Sequence, residues 1–238
     1  MIISAGNMHF QELNQKVKSA SEDVAIHDCY GQRFIASGAS GKTITINGTP
    51  GNALGAYLDG AFIQVNGNVQ DAVGDTMNDG KIVVHGNAGD ALGYAMRGGT
   101  IFVKGNAGYR TGIHMKEYKN KKPVIVIGGS VGSFLGEYLA GGVIIVLGIG
   151  AEEIPVGYFT GTGMHGGKIF IRTNENIDTL PAQVIAEEAT PDEMKETEEY
   201  TSEFAARFEM DGENFANDRF LLLKPNAKNP YKQLYTEN

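Results

Sequence analysis

Side chains that could act as a covalent nucleophile are few in this sequence. Cys29 is the single cysteine, and serines occur in two glycine-rich stretches, GASGK (38–42) and GGSVGS (128–133). A serine nucleophile of the Gly-x-Ser-x-Gly type needs a sharp turn between a strand and a helix, and neither stretch has that context. One cysteine cannot form an internal disulfide or hold a metal cluster alone. The sequence therefore predicts no self-contained nucleophilic site.

Histidines and paired carboxylates give no better pattern for metal or acid–base chemistry. Zinc-binding helices often carry a His-x-x-x-His spacing. That spacing is absent among the histidines, which are His9, His27, His85, His114 and His165. The acidic pairs Glu152-Glu153 and Asp192-Glu193 fall in a loop and at a helix start. We expect these side chains to be solvated or locally bonded.

Glycine-rich stretches such as GNAGDALG (86–93) raise the possibility of a phosphate-binding loop. A P-loop needs Lys-Ser or Lys-Thr after its second glycine, and a dinucleotide-binding loop needs a long helix after it. The sequence offers neither. Asp71 and Asp90 share one repeat position, as in calcium-binding β-rolls, but other copies lack the aspartate. We therefore predict no catalytic, cofactor-binding or metal-binding residues and no bound cofactor.

The glycines instead mark a repeat of 19 residues, and a fixed period of this length indicates stacked structural units. The structural repeat glycines are Gly48, Gly55, Gly67, Gly74, Gly86, Gly93, Gly105, Gly112, Gly129, Gly136 and Gly148. We expect them to supply positive φ angles or tight corners. Four asparagines near the same corner are expected to adopt left-handed geometry or to bond their own backbone: Asn52, Asn68, Asn87 and Asn106.

Aliphatic residues recur at fixed positions of the repeat. Seven alternating pairs precede the glycines: Ile44/Ile46, Ile63/Val65, Ile82/Val84, Ile101/Val103, Ile125/Ile127, Ile144/Val146 and Ile169/Ile171. A second column is Leu58, Met77, Met96, Met115, Leu139 and Met164, and a third is Leu54, Val73, Leu92 and Leu135, with Thr111 and Thr160 as exceptions. Alternation predicts strands with one buried face, so these columns should line the inside of a coil.

Each copy of the repeat contains a strand, a glycine turn, a short segment and a second glycine turn. This order predicts an all-β protein, a right-handed parallel β-helix of about seven coils. Helical repeats are disfavoured because each copy carries several glycines. Residues 1–28 are expected to form an N-terminal cap, residues 29–172 the β-helix, and residues 173–238 a C-terminal helix and tail.

Both caps are predicted to contain a helix. Phe10, Leu13 and Val17 have helical spacing, and residues 23–27 alternate like a strand. Thr190, Pro191 and Glu193 form a capping-box helix start, and the helix should run to about Arg207. The tail contains Pro225, Pro230, Tyr231 and Tyr235.

Two copies of the repeat carry insertions, around residues 116–122 and 149–154. Insertions in a solenoid become external loops, often on a binding face. The lysine-rich first insertion is either a solvated loop or a docking loop for an acidic partner.

Composition restricts the class of partner. The formal net charge of −8 disfavours nucleic acid, which binds basic surfaces. No apolar stretch approaches the length of a membrane helix, and the start lacks signal-peptide character. We expect a cytoplasmic protein with no nucleic-acid or membrane partner. The open ends of a β-helix also present strand edges, so a homo-oligomer is possible.

Several stretches resemble the GXGXG domain at the C-terminus of the glutamate synthase large (alpha) subunit. They are CYGQRFIASGASGKTITINGTPGNALGAYLDG, NVQDAVGDTMNDGKIVVHGNAGDALGYAMRGG, FLGEYLAGGVIIVLG and GTGMHGG, and they span roughly residues 28–172. The flanking helices are similar to the free-standing form of this domain. The repeat also resembles the C subunit of formylmethanofuran dehydrogenase.

The resemblance implies a non-catalytic β-helix that bridges the amidotransferase and FMN synthase parts of a glutamate synthase-type complex in glutamate biosynthesis. Its partners would then be the amidotransferase chain and the FMN and iron–sulfur chains. The alternative is a scaffold subunit of another redox complex, like the formylmethanofuran dehydrogenase subunit. A third hypothesis is a free-standing enzyme, such as a hydrolase.

Overall fold

The computed structural model describes residues 1–210 and 214–226. Its strands are β1 (Ile2–Ser4), β2 (Val24–Tyr30), β3 (Thr43–Thr49), β4 (Asp59–Asn66), β5 (Asp79–Val84), β6 (Thr100–Val103), β7 (Val124–Ile127), β8 (Ala140–Val146), β9 (Gly166–Arg172), β10 (Val184–Glu188) and β11 (Phe220–Pro225). The helices are α1 (Phe10–Ser19) and α2 (Pro191–Arg207), with a 3₁₀ turn at Phe215–Asn217. The predicted tail residues Pro230, Tyr231 and Tyr235 lie outside the described part.

Strands β1–β9 stack in sequence order and in parallel, which confirms the predicted β-solenoid. Within the described residues the coils number about eight, β2–β9, one more than predicted. Each strand pairs with the one before it at an offset of one repeat, as in Ile44↔Ile63 and Ile82↔Ile101. A one-residue slip would turn every aliphatic side chain outward, so the buried face fixes this register.

The inside of the solenoid is filled by the three predicted columns. Every member of the seven aliphatic pairs is fully buried, and so are the leucine and methionine columns. The exceptions Thr111 and Thr160 are also buried, and each hydroxyl donates to the carbonyl three residues earlier, at Gly108 and Gly157. The threonines therefore fit the apolar column because their polar atoms are bonded locally.

The second glycine of each repeat is required by the isoleucine column. A Cβ on Gly93 would lie 2.5 Å from Cδ1 of Ile125, and a Cβ on Gly112 would lie 2.4 Å from Cδ1 of Ile144. Both glycines also have positive φ angles, 68° and 72°. Positive φ alone does not demand glycine here, because Ala91 and Ala95, two residues to either side of Gly93, also have positive φ.

The first glycine of most repeats does not supply a positive φ, which was one of the two roles predicted for it. Gly48 and Gly148 do, but Gly67, Gly86 and Gly105 do not. These positions are close contacts between coils instead: a Cβ on Gly105 would lie 2.2 Å from Oδ1 of Asn87. The column is glycine because the preceding coil passes too close for a side chain.

The asparagine prediction was wrong in its geometry. Asn68, Asn87 and Asn106 are absent from the residues with positive φ, and each side chain accepts a hydrogen bond from the backbone of the next coil. Asn52 belongs to a different column, where its Oδ1 accepts from the Asp71 N–H at 3.3 Å. These side chains hold neighbouring coils together rather than closing their own turns.

The predicted N-terminal elements are present. Leu13 and Val17 of α1 are buried in the same core as the first coil, and the expected strand at 23–27 is β2. Lys42 donates to the carbonyl of Val17 in α1 and to that of Ala20, its C-terminal cap, which satisfies the end of the helix. The division of the chain at residues 28/29 and 172/173 stays a prediction.

Two strands after Arg172 were missed. β11 pairs antiparallel with β9 (Leu221↔Ile171), and β10 pairs antiparallel with β11 (Ala186↔Leu223). The pattern after Arg172 therefore includes a strand pair that continues the sheet beyond the last coil.

The predicted helix start at Thr190, Pro191 and Glu193 is confirmed as a complete capping box. Its helix, α2, lies against the outward face of the later strands. Phe204 of α2 and Phe208, which follows the helix, belong to a second core, together with outward side chains such as Phe102 and Phe170. The rings of Phe102 and Phe204 meet edge to face at 5.8 Å. This cover explains why β7, VIVI, is buried on both faces.

We expect Gly93→Ala to lower the free energy of unfolding by about 2–4 kcal/mol. The alanine would have to adopt a left-handed backbone conformation, and its Cβ would also be overpacked against Ile125. The matched control is Gly38→Ala, which has a φ of 65° but no atom within 4 Å of the added Cβ. That change should cost about 1 kcal/mol. Urea unfolding measures both, and equal losses would show that the isoleucine contact does not decide the position.

Candidate functional site

The cysteine is not placed for nucleophilic chemistry. Cys29 is buried, and its Sγ lies 3.4 Å from Oε1 of Gln32. Burial raises the pKa of the thiol to about 11, although a backbone hydrogen bond at Gln32 works in the opposite direction. A thiol with this pKa is almost entirely protonated at neutral pH and is a poor nucleophile.

The histidines occupy separate structural positions. His9 caps α1, His27 contacts Asn47, and His114 stacks on Tyr138 at 5.0 Å. His85 lies edge-on to Phe208, where burial and then the charge of Lys104 lower its pKa. In residues 1–210 and 214–226, no three His, Cys, Asp or Glu side chains are grouped to hold a metal ion.

The aspartate column that was considered for calcium binding has a structural role. Oδ1 of Asp71 accepts from the Asp90 N–H at 3.0 Å, and Oδ1 of Asp90 accepts from the Tyr109 N–H at 2.8 Å. Each aspartate thus bonds the next coil, as Asn52 does one coil earlier. Their shared position reflects coil stacking, which needs only an acceptor there.

The first insertion forms an external loop whose lysines divide into two kinds. Lys121 bonds Asp79 at 3.0 Å, and Lys122 pairs with Glu196 of α2. Lys116 and Lys119 are exposed, with the Lys119 ammonium 5.3 Å from the Tyr118 ring centroid. The loop therefore anchors α2 with one part and presents positive charge with the other.

The second insertion borders a polar cavity of about 280 Å³, whose other walls are residues 172–175, at the end of β9, and residues 218–219, just before β11. Its guanidinium groups are already engaged. Arg172 Nε lies 2.6 Å from Asp218 and its Nη1 donates to the Leu147 carbonyl at 3.0 Å. Arg219 pairs with Glu188 and donates to the Thr173 carbonyl. These bonds attach the last strands to the solenoid and engage both guanidinium groups.

Helix α2 is attached by half-buried ion pairs. Glu196 bonds both Lys122 and Lys168, and Glu203 bonds Lys81 and Arg207. Partial burial would raise the pKa of each carboxyl, but the bonded cations outweigh it and hold both pKa values below the ordinary one. Hydrogen bonds from Thr190, with Lys224 nearby, lower the pKa of Glu193 to about 2.

The described part of the chain contains no helix that is both long and apolar enough to span a bilayer.

Comparison with known proteins decides the family. The model of the GXGXG motif family matches residues 11–220. The chain belongs to the GXGXG family. An uncharacterized protein of Methanocaldococcus jannaschii is 41% identical over 251 aligned residues, covering 99% of this chain and 96% of that protein.

A solved structure shares the fold of this chain. A chain of the formyltransferase/hydrolase complex FhcABCD from Methylorubrum extorquens, determined with methylofuran, superposes with a TM-score of 0.61. The alignment covers 80% of this chain and 70% of that one at 19% identity, so it shows a common fold alone.

Sequence reasoning missed the contacts that fix the C-terminal region. The run FLLL (220–223) is a short apolar stretch of the kind that predicts a buried strand, and it could have revealed β11. The bonds of Glu196 and Glu203 to Lys122, Lys168 and Lys81 join residues 28–122 positions apart, and no local sequence pattern predicts such pairs.

Acid should loosen α2. Because the folded pKa values of Glu196 and Glu203 lie below the unfolded value near 4.5, their stabilisation is present above that pH and is lost as the pH falls through the folded pKa values. We expect Glu196→Gln/Glu203→Gln to lose about 1–2 kcal/mol at pH 7 and less at pH 3.

Urea unfolding at several pH values measures this, with the exposed Glu198→Gln of the same helix as the control. A loss that is the same at pH 3 and pH 7 would contradict the proposed ion pairs.

Cys29 should resist alkylation. We expect less than about a tenth of the thiol to react with iodoacetamide at pH 8 in the folded protein, and complete reaction in denaturant, because burial disfavours the thiolate. Mass spectrometry of the intact protein measures both. Rapid labelling of the folded protein would restore Cys29 as a candidate nucleophile.

Proposed function

We propose that this chain is a non-catalytic structural subunit of a multisubunit complex. The observation that carries the proposal is that the groups able to do chemistry serve the solenoid itself. Cys29 is buried, Asp71 and Asp90 bond successive coils, and Arg172 attaches the last strands. A rod of this kind offers neighbouring chains a rigid surface, and its GXGXG family membership agrees with that use.

The first candidate complex is of the glutamate synthase type, in the cytoplasm, serving glutamate biosynthesis and nitrogen metabolism. The stretches that resemble the glutamate synthase GXGXG domain support it. In this proposal the chain bridges an amidotransferase and an FMN synthase part. The FMN and iron–sulfur cofactors belong to those partners, and this chain binds none.

The second candidate is a scaffold in a complex related to formylmethanofuran dehydrogenase. The fold likeness to a chain of the formyltransferase/hydrolase complex supports this second candidate no less than it supports the first. Both candidates require that the solenoid bind other subunits, and they differ in which enzymes those subunits are.

The exposed part of the first insertion suits contact with an acidic partner. Lys116 and Lys119 face solvent, whereas Lys121 and Lys122 are held by carboxylates of this chain. A partner surface rich in carboxylates would gain attraction from the first two lysines without breaking the anchor of α2.

Affinity isolation from the native cells tests the proposal. We expect the tagged chain to recover stoichiometric amounts of an amidotransferase and an FMN-containing synthase, identified by mass spectrometry. Recovery of formyltransferase or hydrolase subunits instead would select the second candidate. Recovery of the chain alone, under conditions that keep a known complex from the same lysate intact, would overturn both.

Reconstitution tests the function of the loop. We expect glutamine-dependent glutamate formation by the partner chains to rise when this chain is added, and Lys116→Glu/Lys119→Glu to weaken binding about tenfold. The control Lys18→Glu/Lys195→Glu reverses two exposed charges on the helices and should bind normally. Unchanged activity without this chain would remove the glutamate synthase candidate.

A further inference from the structure

One outward position of the repeat changes its charge from coil to coil. It directly follows the buried leucine and methionine column, and in each coil its N–H bonds the preceding coil in the same way. The residues at this position are Asp59, Asn78, Arg97, Lys116, Ala140 and His165. Stacked coils lie about 4.8 Å apart, so successive members of this series are neighbours on the surface. The series therefore runs from an acidic residue to two adjacent cations.

The chain neutralises the acidic end of this series but not the basic middle. Lys121 of the first insertion reaches Asp59 at 3.5 Å and Asp79 at 3.0 Å. In residues 1–210 and 214–226, neither Arg97 nor Lys116 forms an ion pair or a side-chain hydrogen bond. Like charges on adjacent coils repel each other. These two cations therefore contribute no ion pair that would stabilise the fold.

Arg97 also has a donor without an acceptor. Its Nε atom is buried and has no hydrogen-bond partner among the residues that the structure describes. A buried, unpaired donor on a charged group is costly, and native structures leave few of them. A carboxylate satisfies a guanidinium well, because its two oxygens accept from two N–H groups side by side. The side chain of Arg97 thus needs an acceptor of this kind.

Aromatic rings border the two cations. His114, two positions before Lys116, stacks on Tyr138 at 5.0 Å and meets Tyr94 edge to face at 5.9 Å. Tyr94 is 40% exposed and Tyr138 is 44% exposed, so both rings are open to solvent. Exposed tyrosine beside arginine is the composition of interface hot spots. The rings offer a partner apolar contact area next to the charges.

We propose that Arg97, Lys116, Tyr94, His114 and Tyr138, together the cationic anchor, bind a short acidic segment of a partner protein. This inference rests on the proposed function as a structural subunit, and it adds the partner's chemistry and a contact on the coil before the insertion. One carboxylate of the segment pairs with the guanidinium of Arg97, which turns its Nε toward solvent, and a second pairs with Lys116. Alternate residues of an extended segment lie about 6.8 Å apart, a spacing that long side chains can fit to two adjacent coils.

Acidic groups around the cationic anchor limit the length of the segment. Asp59 and Asp79 share one lysine, and Glu117, beside Lys116, accepts from the Gly142 N–H. These carboxylates would repel a continuous polyanion. The anchor therefore suits a pair of carboxylates among neutral residues, and it disfavours nucleic acid.

NMR titration of the ¹⁵N-labelled full chain measures the binding. The probe is a short peptide of alternating serine and glutamate with blocked ends, and its control has glutamine in place of every glutamate. We expect the acidic peptide to shift the amide signals of residues 94–97 and 114–116 to saturation. The glutamine peptide should leave them unchanged. Raising the salt concentration about tenfold should weaken binding about fivefold, because exposed charges are screened.

Substitutions identify the side chains that bind the peptide. Arg97→Gln/Lys116→Gln should weaken binding about tenfold or more. Arg97→Lys should weaken it less than Arg97→Gln, because lysine keeps the charge but lacks the two parallel N–H donors. The control Lys18→Gln/Lys195→Gln removes the same charge from exposed positions on the helices and should bind like wild type. Urea unfolding confirms that each variant folds, and Lys116→Gln alone, at an exposed position, serves if Arg97→Gln does not fold.

Several results would overturn the proposal. They are an absence of shifts at about 5 mM acidic peptide, equal binding of the two peptides, and an equal loss in the anchor and control variants. Saturation of the same signals by inorganic phosphate at a lower concentration would also overturn it, because the anchor would then suit a phosphorylated ligand better.

The failure of this inference is distinguishable from that of the proposed function. If the peptide does not bind but affinity isolation still recovers partner subunits, the cationic anchor is wrong and the structural-subunit proposal stands. If the chain is recovered alone, the proposed function is wrong whatever the peptide does.

Discussion

The contact between the isoleucine column and the second glycine of each repeat governs this structure. Cδ1 of Ile125 and Ile144 occupies the space that a side chain on Gly93 or Gly112 would need. The contact is repeated in successive coils because equivalent repeat positions of neighbouring strands pair with each other, even across the insertions. Register, corner geometry and interior packing therefore constrain one another. A change in register, corner geometry or packing in one coil therefore alters the packing of the neighbouring coils.

The repeat made the solenoid predictable from sequence. Ile63 and Val65, for example, recur with their glycines at one period, and a period of 19 with several glycines leaves no room for helices. Capping chemistry also identified the start of α2 at Thr190, because its signals are local. The core and the first helix followed from the same kind of pattern.

Other features depend on contacts between different coils or between distant parts of the chain, which local sequence patterns do not predict. Asn87 looked like a turn residue, yet it bonds the next coil, since the distance between coils rather than its own turn decides its partner. β11 was missed because its pairing with β9 joins residues about fifty positions apart. Lys122 looked like a free loop cation, and it is held by Glu196 from a helix far along the chain.

The same distinction separates scaffold from surface. Polar groups such as Asp90 satisfy the backbone of the solenoid, so the surface available to partners lies outside the repeat columns. The exposed insertion at residues 116–122 is such a surface, and the strands on either side of it are held rigid by the buried aliphatic columns. A rod of this kind can position other chains without changing its own conformation.

Amide hydrogen exchange on the isolated chain and on the chain within its native complex tests this account most directly. We predict slow exchange in β3–β9 of the isolated chain, unchanged in the complex, with added protection confined to exposed loops and corners. Rapid exchange throughout β3–β9 in isolation, slowing only in the complex, would contradict the account, because the solenoid would then fold on its partners instead of supporting them.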